Sequence, residues 1–72
     1  MSAPTTIAFG DLRVGDVFLR TINGTAAAIV VESVGVDDET RRPLVVGCVV
    51  GTDVRERTRF DAKRVVTAWR TT

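Results

Sequence analysis

The chain has 72 residues, of which 44% are hydrophobic and 26% charged, and a formal net charge of +1. This composition is too apolar and too mixed in charge for a disordered chain, and the length suits one small domain. The sequence contains no histidine. That absence excludes Ser-His and Cys-His nucleophile pairs and every zinc site that needs imidazole.

The cysteine content and the apolar runs predict where the protein is found. Cys48 is the single cysteine, whereas a small secreted domain usually carries several in disulfides. Residues 1–10 contain no Lys or Arg, unlike a signal peptide, and the longest apolar stretch, 26–31, is far shorter than the roughly 20 residues of a membrane span. We therefore expect a cytoplasmic protein with no membrane partner.

The residue types favour strands over helices. Val, Ile and Thr together account for 26 residues, and no window shows apolar residues at helical spacing over three turns. The sequence predicts an all-β fold, with residues 1–10 as a flexible N-terminal segment and 11–72 as a single domain.

The first predicted strand covers residues 17–22. Val17, Leu19 and Thr21 are expected to face inward, because the opposite choice would place Arg20 in the interior. Asn23-Gly24 follows, a dipeptide that favours a two-residue type I′ turn between antiparallel strands.

The second strand is predicted over residues 25–36, with Gly35 marking a bulge, and it leads into a charged tip at 37–43. The third strand, 44–50, is almost entirely apolar and is expected to be central, with Gly47 allowing a kink. Cys48 within it is interpreted as an inert packing residue.

The fourth strand, residues 54–60, alternates in polarity, and the last strand, 65–70, follows a helical turn at 61–64. Leu12-Arg13-Val14-Gly15-Asp16-Val17 and Phe60-Asp61-Ala62-Lys63-Arg64-Val65 resemble the opening and closing segments of small bacterial and bacteriophage Src-homology-3-like barrels. The resemblance covers most of residues 11–70. It implies a five-stranded barrel with one helical turn before the last strand, and an oligonucleotide/oligosaccharide-binding-type barrel is the alternative.

One row of basic side chains is the main candidate for binding. Residues two apart on a strand project to the same side, so Arg55, Arg57 and Arg59 form a row of guanidinium groups, which we call the arginine ladder. The ladder is either an ordinary solvated strand face or a docking stripe for phosphates or for an acidic protein patch.

Trp69, the only tryptophan, lies on the same strand face as Val65 and Thr67. If that face points inward, the indole closes one end of the barrel, which is the interpretation that we favour. If it points outward, the indole beside arginines resembles an interface hot spot or a stacking platform.

No catalytic set emerges from the sequence, so we expect no enzyme, no cofactor, no metal and no small-molecule substrate. The leading hypothesis is a non-catalytic module that binds a protein partner or itself. Its small size suits an accessory protein of a phage or mobile element. The alternative is a nucleic-acid-binding accessory protein, which a net charge of +1 disfavours. The candidate binding residues under either hypothesis are Arg41, Arg42, Arg55, Arg57, Arg59, Lys63, Arg64 and Trp69.

Overall fold

The computed structural model describes residues 3–70, and it is all-β as the sequence predicts. Its strands are β1 (Thr5–Ala8), β2 (Val17–Ile22), β3 (Thr25–Val36), β4 (Pro43–Val49), β5 (Arg55–Arg59) and β6 (Val65–Trp69), with a 3₁₀ helix at Phe9–Asp11. All neighbouring strands are antiparallel, in the order β1-β6-β2-β3-β4-β5. The sheet therefore has six strands rather than five, and it is not closed.

The sixth strand comes from the segment expected to be flexible. Residues 5–8 pair with β6, from Thr5 opposite Ala68 to Ala8 opposite Val65. Ile7 is buried in this pairing, and Phe9 is buried just after it. Burial of these two large side chains explains why the segment joins the sheet, since each contributes on the order of 2 kcal/mol of hydrophobic stabilisation.

One of the predicted turns forms as expected, and two other local features differ from the prediction. Asn23 and Gly24 have φ of 51° and 81°, the two positive values that a type I′ turn requires. The register shift in β3 lies between Val31 and Ser33 rather than at the predicted Gly35. Before β6, the Arg64 N–H donates to the Asp61 carbonyl at 3.0 Å, which closes a hydrogen-bonded turn and not the expected helical turn.

The core lies on one side of the sheet. Phe9 makes edge-to-face contacts with Phe18 at 6.1 Å and with Phe60 at 5.1 Å between ring centroids. The other buried apolar residues are Ile7, Leu12, Ile29, Val31, Val45, Val66 and Ala68. No helix within residues 3–70 has the length and apolar character to cross a membrane.

The inward face of β2 is the opposite of the one predicted. Phe18 is fully buried, whereas Leu19 is 37% exposed. Arg20 is accommodated beside Phe18 because its Nη1 donates to the Thr58 hydroxyl at 2.9 Å and to the Arg57 carbonyl at 3.3 Å. A half-buried guanidinium with these acceptors avoids the desolvation penalty on which the prediction depended.

Close packing of β4 against β3 requires a glycine at position 47. A Cβ built on Gly47 would lie 2.5 Å from the Val30 carbonyl oxygen and in overlap with the Ile29 side chain. Strand β4 therefore approaches β3 more closely here than any residue with a side chain would permit.

Candidate interaction surface

A row of side chains crosses five strands on the side of the sheet opposite the core. Register places Trp69 of β6 opposite Val17 of β2, Val17 opposite Val30 of β3, Val30 opposite Cys48 of β4, and Cys48 opposite Arg55 of β5. We call the side that carries this row the outer face. The row is apolar over four strands and becomes basic at the fifth.

The apolar part of the outer face extends beyond this row. Leu44 and Val46 lie opposite Arg59 and Arg57, so they share the outer face with the arginine ladder. Both are half-buried, and Leu19, on the same side of β2, is exposed. An apolar surface over three adjacent strands is more than scattered surface hydrophobic residues would produce.

Trp69 belongs to the outer face and not to the core, so the favoured interior placement is wrong. Val66 and Ala68 are the buried residues of β6, which directs the alternate residues Val65, Thr67 and Trp69 to the outside. Trp69 itself is half-buried.

Cys48 is also an outer-face residue, half-buried rather than enclosed in the core. Its thiol lies 3.1 Å from the Thr52 carbonyl oxygen, to which it donates a hydrogen bond.

The arginine ladder forms as the alternation predicts. Thr58 is buried and Glu56 half-buried on the core side, while Arg55, Arg57 and Arg59 are exposed on the outer face. The guanidinium groups at the two ends of the ladder form ion pairs with carboxylates. The Arg55 Nε is 3.0 Å from Glu32, and the Arg59 Nη1 is 2.7 Å from Asp37.

The two ion pairs differ in how firmly their carboxylates are held. Glu32 is 39% exposed, whereas Asp37 is only 13% exposed. The backbone N–H groups of Glu39 and Thr40 donate to Asp37, and together with Arg59 they lower the pKa of that carboxyl below its ordinary value. Asp37 therefore anchors the Arg59 end of the ladder, while the Arg55–Glu32 pair is an ordinary surface pair worth little.

Arg57 differs from its neighbours in the ladder. Among residues 3–70, its guanidinium makes no ion pair and no hydrogen bond. The middle of the ladder is thus an exposed positive charge, flanked by two charges that are already neutralised.

The remaining basic candidates are dispersed. The guanidinium carbon of Arg64 lies 4.0 Å from the Phe60 ring centroid, a cation–π contact, and Lys63 is exposed in the same turn. Arg41 and Arg42 are exposed at the end of the β3–β4 hairpin, where the Asp37 N–H donates to the Arg42 carbonyl. These four residues thus lie in two separate turns, one before β4 and one before β6.

Two features were missed from the sequence. Strands β2 and β6 pair only at Val17–Trp69 and Phe18–Ala68 and then diverge, which leaves a groove of about 360 Å³ lined in part by Arg20 and Arg64. The second feature is an ion pair between half-buried Arg70 and the buried carboxylate of Asp16, which lie 54 residues apart in the chain. Neither has a local signal in the sequence, because each depends on residues far apart in the chain.

Within the described part of the chain, no group of three or more Cys, Asp or Glu side chains is arranged to hold a metal ion. Comparison with protein-family models, with curated proteins and with solved structures finds no significant match.

Proposed function

We propose that this protein is a non-catalytic interaction module that binds a protein partner or itself through its outer face. The observation that carries the proposal is the junction between the apolar residues of that face and the exposed charge of Arg57. Protein interfaces combine an apolar centre with arginine and tryptophan anchors, and this face offers both.

We further propose that β2 to β6 form a Src-homology-3-like unit to which β1 is added. Consecutive hairpins link β2 to β5, and the contact of Arg20 in β2 with Thr58 in β5 brings these distant strands together across the core. Such a unit would suit an accessory protein of a phage or mobile element. The presence of one cysteine, with no second cysteine to form a disulfide, supports a cytoplasmic protein.

Nucleic-acid binding is the competing function, and the ladder supports it weakly. Two of its three arginines already have carboxylate partners, so they would have to exchange those partners for phosphates. Non-specific affinity for DNA depends on the number of phosphates neutralised, which is small here.

The proposal is tested by selecting a displayed random-peptide library against the immobilised protein, with sedimentation velocity of the free protein in parallel. We expect the selection to yield binding peptides, or sedimentation to show self-association. In either case the wild type should bind about tenfold more tightly than the Leu19→Ser variant. The matched control is Val36→Ser, which changes an apolar residue 61% exposed at the far end of β3. This variant should bind normally.

Labelled single-stranded and duplex DNA are titrated in the same buffers. Strong DNA binding that falls steeply with salt, together with a monomer that selects no peptide, would replace the proposal with the nucleic-acid function. If Leu19→Ser and Val36→Ser weaken peptide binding equally, the binding site is not the outer face.

A further inference from the structure

Strand β5 has one edge with no strand beside it among residues 3–70. It is the last strand in the sheet order, and the one strand that pairs with it among residues 3–70 is β4. The Val49 N–H of β4 donates to the Val54 carbonyl at 2.9 Å, so Val54 is directed toward β4. Because direction alternates along an antiparallel strand, Glu56 and Thr58 also face β4, and the backbone groups of the three ladder arginines face away.

A second contact supports this direction. The Arg57 carbonyl accepts its hydrogen bond from Arg20, a residue of β2 and not of β4. No strand among residues 3–70 pairs with this side of β5, to which the alternation directs the backbone N–H groups of Arg55, Arg57 and Arg59. An exposed edge of this kind is a template for an added strand.

A second copy of this chain is a poor occupant of that edge. Every outward residue of β5 is an arginine, so pairing two β5 strands with their outer faces on one side places arginine opposite arginine. Like charges directly opposite one another destabilise an antiparallel pair. The ladder thus protects the edge against self-pairing.

The same ladder favours one kind of foreign strand. Residues two apart lie about 6.6 Å from each other along a strand, so a partner with carboxylates at every second position matches the spacing of the guanidinium groups. Arg57 has no ion-pair partner among residues 3–70, so it can bind such a carboxylate directly. The exposed Arg55–Glu32 pair is weak enough for a carboxylate of the partner to replace Glu32.

We propose that the edge of β5 binds an extended acidic segment of another protein, carrying Asp or Glu at alternate positions, as an added strand. Its backbone bonds to Arg55, to Arg59 and to the Arg57 N–H, because Arg20 already donates to the Arg57 carbonyl, and its carboxylates contact the guanidinium groups of the ladder. This inference rests on the proposed function, because it names the class of protein partner and extends the outer face by one strand.

The probe is a short peptide in which glutamate alternates with threonine, and a peptide of the same composition with contiguous glutamates is its control. Affinity is measured by fluorescence anisotropy. We expect the alternating peptide to bind at least about tenfold more tightly than the control, with Arg57→Ala losing most of that difference. Arg13→Ala, which removes another exposed arginine, located before β2, should retain it.

Hydrogen exchange followed by NMR tests the backbone contacts directly. On peptide binding, the amides of Arg55, Arg57 and Arg59 should gain protection, while those of Glu56 and Thr58, already bonded to β4, should change little. Binding without that alternating gain, or with protection at β1 instead, overturns the strand addition and leaves the proposed function standing. If neither this peptide nor any library peptide binds and the protein is monomeric, the proposed function fails as well.

Discussion

Asp16 and Arg70 form a bidentate ion pair that joins the turn before β2 to the residue after β6. Arg70 donates from Nε to Asp16 Oδ1 at 3.1 Å and from Nη2 to Oδ2 at 2.9 Å. The backbone N–H of Arg13 donates to the same carboxylate at 2.9 Å. Asp16 is only 3% exposed, so this pair fixes two distant parts of the chain in a site with little access to water.

Replacing this carboxylate should destabilise the fold. Asp16→Asn keeps the shape of the side chain but leaves Arg70 opposite a neutral amide. We expect the free energy of unfolding to fall by about 2 kcal/mol, the usual contribution of a hydrogen bond to a charged group. Urea unfolding measures the change. Asp53→Asn, at an exposed turn without an ion pair among residues 3–70, is the control and should have little effect.

The same pair predicts a loss of stability in acid. The Arg70 guanidinium lowers the pKa of the Asp16 carboxyl, against the raising effect of burial. A lowered pKa in the folded state means that the unfolded chain takes up the proton first as the pH falls. Stability should therefore be retained above about pH 4 and decline below it, through the folded pKa of Asp16.

The measurement for this pH dependence is the urea midpoint over a series of acidic buffers. Asp16→Asn should show a shallower decline than the wild type, because it lacks the titrating group. Equal slopes for the two proteins would show that Asp16 does not contribute.

Arg20 and Thr58 should be energetically coupled across the core. Their hydrogen bond is 2.9 Å long, and Thr58 is 1% exposed. In a double-mutant cycle with Arg20→Met and Thr58→Val, we expect a coupling of about 0.5–3 kcal/mol in the free energy of unfolding. Strictly additive changes would mean that the two side chains are held independently.

Gly47 should not tolerate a methyl group, whereas Gly35 should. In Gly47→Ala the new Cβ collides with the backbone and side chain of β3, and overpacking of this kind costs about 1–3 kcal/mol. Gly35 lies in the same hairpin with open space around it, so Gly35→Ala is the matched control. Thermal unfolding should separate the two variants, and similar midpoints would contradict the close approach of β3 and β4.

Local chemistry explains what could be predicted from the sequence. The Asn23-Gly24 dipeptide and the polar alternation of β5 each act within a few residues, and both appear in the structure as predicted. The bounds of β3 agree for the same reason, since turn residues end it on both sides.

The errors have long-range causes. Strand β1 forms because β6, about sixty residues later, offers it an edge. The interior placement of Arg20 depends on acceptors in β5, and the outward placement of Trp69 depends on which face of β6 meets the core. Periodicity shows that two faces differ, but it does not identify which of them is covered.

The pairing of β1 with β6 makes Thr5 and Ala68 neighbours. A short linker could therefore join the beginning and end of the sheet, and new termini could be opened in the exposed turn at residues 38–40. Such a circular permutant would retain every strand pairing, and the same geometry suits insertion of the whole domain into a loop of a host protein.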